Sequence, residues 1–270
     1  MSKNLALRLV VAAFGIPALI FICIKSGYFL LGFTVALAGL GGAELAMMFR
    51  ARGYRVNFVF SVLMPILIVV FTYYKIPVIH LMTLAIFIQT GLMIIYYSHA
   101  GNLDLPLFVG ELLGRLLPVI YVGLLLSYVI LIGASSEIGG RIIVLIFMIV
   151  WATDTFAYAG GRILGKHKLS PFLSPNKTWE GFYAGFIGAL IAGALAKLIF
   201  LDLAWPKMIV ISLLACLLGQ SGDLFESALK RHCRIKDSSS ILPGHGGILD
   251  RFDSFLFAIP IVYLILIIWR

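Results

Sequence analysis

Apolar stretches of about 20 residues recur along the whole chain with only short polar joints between them, and this pattern limits the fold more than any other feature. A helix of that length rises about 30 Å, the thickness of bilayer hydrocarbon, so each stretch is long enough to cross it. Nine are readable, at roughly 7–24, 28–48, 58–74, 77–97, 112–132, 142–159, 182–201, 208–229 and 252–269. With 61% hydrophobic and 12% charged residues, no soluble domain of useful size remains between them. The expected fold is an all-α integral membrane protein, a polytopic bundle of about nine transmembrane helices. The fifth span is the least regular, because Glu111-Leu112-Leu113-Gly114-Arg115 is amphipathic and can lie along the interface instead.

Formal net charge is +9, which in a soluble chain suggests nucleic acid; here the cations sit in joints between spans, so no nucleic-acid partner is expected. Alternation of sides puts 15 Lys and Arg on the face shared by the N-terminus, residues 50–55, Arg115 and the loops 160–181 and 230–251. The other face has six: Lys25, Lys75, Arg141, Lys197, Lys207 and Arg270. The positive-inside bias makes the first face cytoplasmic, with the N-terminus inside and the C-terminus outside a cell (inner or plasma) membrane. Lys3 and Arg8 before an apolar run to Ile24 resemble a signal peptide, but Ile24-Lys25-Ser26-Gly27 lacks a small-x-small cleavage pattern, so a retained first span is expected. Cys23, Cys216 and Cys233 show neither metal-ligand spacing nor a disulfide framework. Gly181, Gly185, Gly188 and Gly193 fall at or near four-residue spacing, which allows close helix approach within the chain or across a homodimer.

A carboxylate near the bilayer centre costs about 2.5–3.5 kcal/mol on insertion scales, so an acid in these spans needs protein, water or a partner. Asp154 closes the sixth span, Asp223 and Glu226 end the eighth, Asp250 and Asp253 open the ninth, and Glu44 nears the end of the second. All fall on the cytoplasmic side. Residues three or four apart share a helix face, joining Asp223 with Glu226 and Ser227, Asp250 with Asp253, and Asp154 with Tyr158. The basic loop joins the eighth and ninth spans, so their acid faces can converge on one polar crevice. Clustered carboxylates repel unless cations hold them, and hard oxygens favour Mg2+, which binds through one or two carboxylates plus substrate phosphates. A second, paired cation suits the same set. The competing reading is a structural network with Lys230, Arg231 and Arg251.

Residues 227–253 read SALKRHCRIKDSSSILPGHGGILDRFD, in which Lys230, Arg231, Arg234 and Lys236 make a cationic strip suited to phosphate oxygens. Gly244, Gly246 and Gly247 allow the close approach or positive φ of a phosphate-cradling turn, or simply a tight turn into the ninth span. His245 between them can donate to phosphate, act as a base or brace the turn. In a second block, Ser174-Pro175-Asn176-Lys177-Thr178-Trp179-Glu180-Gly181, Ser174 can cap a helix with Pro175 at its first position, placing Lys177 on an anion-favouring first turn. Glu180 can pair with Lys177 or join the metal ligands, and Trp179 is an interfacial anchor or a base-stacking platform.

The longer stretch resembles the signature of the phosphatidate cytidylyltransferases, or CDP-diacylglycerol synthases, with Ser227, Lys230, Arg231, Lys236, Asp237, His245, Gly246, Gly247, Asp250, Arg251 and Asp253 at its fixed positions. The second block, with Asp154, Tyr158, Gly161 and Arg162 upstream, is similar to the same family, so the resemblance covers about residues 150–255. Residues 1–140 carry a generic multi-span pattern and are read as packing helices beside a catalytic region, 141–270. The resemblance implies that CTP and phosphatidic acid, met at the lipid bilayer, give CDP-diacylglycerol and pyrophosphate with Mg2+ as cofactor. Carried over residue by residue, it implies catalytic roles for Asp223, Asp250, Lys177, Lys230, Arg231 and His245. It puts Lys236, Asp237, Ser174, Asn176, Thr178, Gly246, Gly247, Arg251 and Ser227 at the substrates, and gives the metal Asp223 and Asp250, with Asp253, Glu226 and Asp154 nearby. A CTP-dependent lipid-alcohol kinase of the dolichol or phytol kinase kind is the nearest alternative. An ion or phosphate transporter is a third, opposed by acids that gather at one face instead of the midplane.

Overall fold

The computed structural model of the chain describes residues 3–100, 104–239 and 246–269. Its apolar runs form α1 (Lys3–Lys25), α2 (Gly27–Ala51), α3 (Phe58–Tyr73) and α4 (Val78–Ala100). α5 (Leu105–Leu117) continues through a π-helical turn, Pro118–Leu124, into α6 (Leu125–Ser135), and α7 (Gly139–Leu164), α8 (Trp179–Ile199), α9 (Trp205–His232) and α10 (Leu249–Ile268) complete the helices. Among the described residues seven helical stretches, α5 to α6 counted as one, are long and apolar enough to span a bilayer. Two shorter apolar helices, Ala13–Lys25 and Phe58–Tyr73, occupy the remaining expected spans.

Large apolar side chains point outward as well as inward: Ile163 is 79% exposed, Leu198 72% and Phe87 71%. Water would penalise such a surface, whereas lipid tails solvate it. The main interior cluster takes Leu45 and Phe49 from α2, Leu126 from α6, Ile143 from α7, Cys216 from α9 and Phe255 from α10, and a smaller one joins Met64 and Ile68 of α3 to Met82 and Ala85 of α4. Phe147 and Phe255 stack within the main cluster at 4.1 Å. Residues 1–140 thus share a core with the helices that carry the acids.

The amphipathic start of the fifth span packs against the loop and helix end at residues 49–56. Asp104 caps α5 by accepting from the Leu107 N–H at 3.3 Å. Glu111 turns inward, 1% exposed, accepting from the Arg55 N–H at 3.2 Å with Arg115 3.9 Å away. Gly110 and Gly114 let this helix approach Tyr54, Phe49 and Val56.

The glycine stripe of α8 is taken up inside the chain. A Cβ on Gly181 would meet the Ala157 carbonyl of α7 at 2.6 Å, and one on Gly188 the Ala152 carbonyl at 2.6 Å. Gly193 faces Ser212 of α9 in the same way. The close approach these glycines permit is used within the chain by α7 and α9.

Two short strands interrupt the otherwise helical chain: β1 (Lys168–Ser170) and β2 (Ser174–Thr178), antiparallel, with Lys168 opposite Thr178 and Ser170 opposite Ser174. They also correct the helix start expected at Ser174. α8 begins at Trp179, and its cap is Thr178, whose Oγ1 accepts from the Gly181 N–H at 3.2 Å. Threonine caps nearly as well as serine, and a proline is tolerated in a two-stranded ribbon, so strand pairing decides between the two starts.

Candidate active site

α9 and α10 bring the acids together because they pack closely where Gly222 leaves room, a Cβ there falling 2.5 Å from the Asp253 carbonyl. At the next residue of α9, Asp223 Oδ2 lies 2.6 Å from Lys177 Nζ of β2. Both side chains are part-exposed and border a cavity of about 410 Å³ lined by Asp154, Tyr158 and Arg162 of α7, by Asn176 and Thr178, and by Gln220 of α9. Asp154 lies within Coulomb range of Asp223, Lys177 and Arg251. Asp253 lies within that of Asp223 and Asp154. The cavity therefore holds both carboxylates and an ammonium that a phosphate can draw away from its partner.

A second cluster sits beside it. Lys230 Nζ is 2.5 Å from Glu226 Oε2 and 2.7 Å from Asp250 Oδ1. Asp250 Oδ2 accepts from the Ser238 N–H at 3.0 Å, the Ser238 hydroxyl at 3.0 Å and the Gly247 N–H at 2.8 Å. Protein donors thus engage both oxygens of Asp250, the acid expected to share a cation with Asp223. Lys230 was placed in an open phosphate strip, but its ammonium is turned inward between two carboxylates, because Glu226, 1% exposed, needs a counter-charge.

The rest of the strip divides. Arg231 is exposed, its Nε donating to the Leu173 carbonyl at 3.4 Å. Arg234, Lys236, Asp237 and Arg251 are exposed at the same end of the bundle. Ser227 Oγ is 3.5 Å from Asp223 Oδ1. Gly246 has φ +79, the left-handed conformation expected of a glycine turn. Gly244 and His245 lie outside the described residues. Ser174 is half-buried and Asn176 exposed on β2. Glu180 pairs with neither Lys177 nor the other acids: it accepts from His167 Nδ1 at 2.6 Å and from the Lys166 N–H at 3.1 Å, tying the hairpin to α8. Burial pushes the Cys233 thiol up to about 11, so the free thiol stays protonated at neutral pH.

Two neighbours of the site, Gln220 and Tyr121, were not singled out for it. Gln220, nearly buried, lines the cavity and donates to the Phe182 carbonyl at 3.4 Å; a polar residue inside an apolar span was its only signal. Tyr121, on the π-helical turn, is buried with its hydroxyl in range of Asp253, Glu226 and Asp223. Nothing in its span marked it. Glu44 of α2 accepts from the N–H groups of Ile248 and Leu249.

Among the described residues no three His, Cys, Asp or Glu side chains form a ready-made metal cage. Mg2+ does not need one, since one or two carboxylates plus substrate phosphates suffice. Asp223 and Asp154, the two carboxylates that line the cavity, are an oxygen pair of that kind.

A protein of Staphylococcus saprophyticus named phosphatidate cytidylyltransferase is 49% identical over 154 residues, 56% of this chain and 58% of that protein. Proteins of the same name from Bacillus subtilis and Staphylococcus aureus are 47% identical over 151 residues and 49% over 154, covering 56% and 58% of their lengths. The matched stretch thus spans a little over half of each relative. The profile of the cytidylyltransferase family matches residues 6–269, almost from end to end, and the chain belongs to that family.

Proposed function

We propose that the chain is a phosphatidate cytidylyltransferase, transferring the cytidylyl group of CTP to phosphatidic acid at the cytoplasmic face of a cell membrane. The observation that carries the reading is the cavity of about 410 Å³ in which Lys177 and Asp223 form a part-exposed ion pair beside Asp154. Its volume is in the range of small-molecule sites. The name borne by the matched relatives supports the substrates, and the excess of cations at this end supports the cytoplasmic side.

In the reaction a phosphatidate oxygen attacks the α-phosphorus of CTP and pyrophosphate leaves from the opposite side. The monoester is already ionised near neutral pH, so positioning and charge neutralisation matter more than a general base. Lys177 exchanges its bond to Asp223 for a phosphate oxygen. Arg231 and Lys236, both exposed, draw the triphosphate toward the cavity. Mg2+, held by Asp223 with Asp154, would neutralise phosphate charge when bound. Lys230 and Asp250 keep the end of α9 joined to the start of α10. The headgroup enters between helices beside Tyr158, 69% exposed, while the acyl chains stay in lipid.

The test is the full chain in detergent with phosphatidic acid, Mg2+ and CTP labelled at the α or the γ phosphate. Label from the α position entering lipid, lost when EDTA removes the metal, is the expected result. Label from the γ position identifies a lipid kinase, and neither label, with phosphate or ion flux in liposomes, a transporter.

A further inference from the structure

The acid of α2 stands apart from both carboxylate clusters. Glu44 is fully buried, which an ionised carboxylate tolerates only when donors surround it. Its Oε1 accepts from the Ser239 hydroxyl at 2.6 Å and the Ile248 N–H at 2.7 Å. Its Oε2 accepts from the Leu249 N–H at 2.8 Å and lies 3.1 Å from Ser238 Oγ.

These donors explain its place. α10 begins after Ile248, a residue with no capping side chain, so its first N–H groups need an acceptor from elsewhere. Glu44 supplies it from another helix, and its charge suits the positive end of the α10 dipole. Ser238 Oγ also lies 3.0 Å from Asp250 Oδ2, linking the two carboxylates. A Cβ on Gly247 would overlap Ser238 Oγ and fall 2.8 Å from both Glu44 oxygens, so only glycine fits where the chain passes between them. The residues that hold Asp250 are thus flanked by the ones Glu44 holds.

We propose that Glu44 is a positioning residue: it docks residues 238–239 and 247–249 onto α2 and so sets Asp250, and through it Lys230, against the cavity. The role rests on the activity proposed above and adds to it a contribution from residues 1–140. Glu44 touches no substrate and acts through Ser238 and the start of α10.

The test uses the full chain in detergent with Glu44→Gln and Glu44→Asp. Glutamine keeps the volume but turns one acceptor into a donor facing an N–H group. Turnover of Glu44→Gln should fall about 10- to 100-fold, as when a supporting residue around a site is removed. The KM for CTP should stay within about threefold, since a positioning residue acts on kcat. Hydrogen exchange at the Ile248 and Leu249 amides should quicken about tenfold, with the unfolding midpoint close to wild type. Glu44→Asp, still an acceptor, should recover part of kcat. Wild-type kcat in Glu44→Gln, or a loss of kcat without faster exchange at these amides, overturns the proposal. Should Glu44→Gln fail to fold, Gly247→Ala, which drives the same contacts apart, gives the same readouts, and wild-type exchange in it overturns the proposal equally. A wild-type chain that transfers no label to lipid refutes the activity alone, because the exchange measurement needs no turnover.

Discussion

Replacing Asp223 by asparagine keeps the shape of α9 and removes one charge 2.6 Å from Lys177 Nζ. At that distance and an effective dielectric of about 20, the attraction is about 6 kcal/mol. The side chains are 27% and 33% exposed, so desolvation and water screening cancel most of it, leaving about 1–2 kcal/mol. Folding should therefore be little harmed. Turnover should fall far more, about 10²- to 10³-fold or about 3–4 kcal/mol of barrier, the scale for removing one preorganised charge-stabilising group. The assay is transfer of α-labelled CTP into lipid beside a thermal melt in the same detergent, for Asp223→Asn, Lys177→Met and the double variant. The stability cycle should show a coupling of about 1–2 kcal/mol, while the double variant stays as inactive as the worse single one. Turnover of Asp223→Asn within about threefold of wild type, or recovery of turnover in the double variant, would refute the reasoning by reducing the pair to a structural ion pair.

Lys230→Met should behave oppositely to Lys177→Met: it strands buried Glu226 and Asp250, costs about 3–5 kcal/mol and shows as a large fall in the melting midpoint. Gly188→Leu should push α8 off the Ala152 carbonyl and destabilise by at least about 1–3 kcal/mol, whereas Gly91→Leu, with nothing within 4 Å, should melt like wild type. Thr178→Ala should cost about 1 kcal/mol through loss of the α8 cap, and Thr178→Ser should restore it; equal melts for the two would move the cap elsewhere.

Much was legible in the residues alone. Helix number and approximate span positions follow from run length against hydrocarbon thickness, which needs no knowledge of neighbours. The acids at Asp154, Asp223, Asp250 and Asp253 announced themselves because ionisable groups at the ends of apolar runs are costly to keep. Partners were not legible. Which lysine meets which acid depends on the rotation and depth of packed helices, so Lys230 went to Glu226 and Asp250, and Lys177 to Asp223. Glu180 paired with His167 for the same reason, once the hairpin had formed.

Span length and charge placement are local properties of the chain, and they determined a polytopic helical bundle with its acids and cations at one end. Only the tertiary structure decided that the acids divide between an open cavity and a closed lysine-centred cluster. It alone showed that Glu44, 205 residues from Leu249, caps α10, because contacts at such separations are set by how helices pack and leave no periodic trace in the sequence.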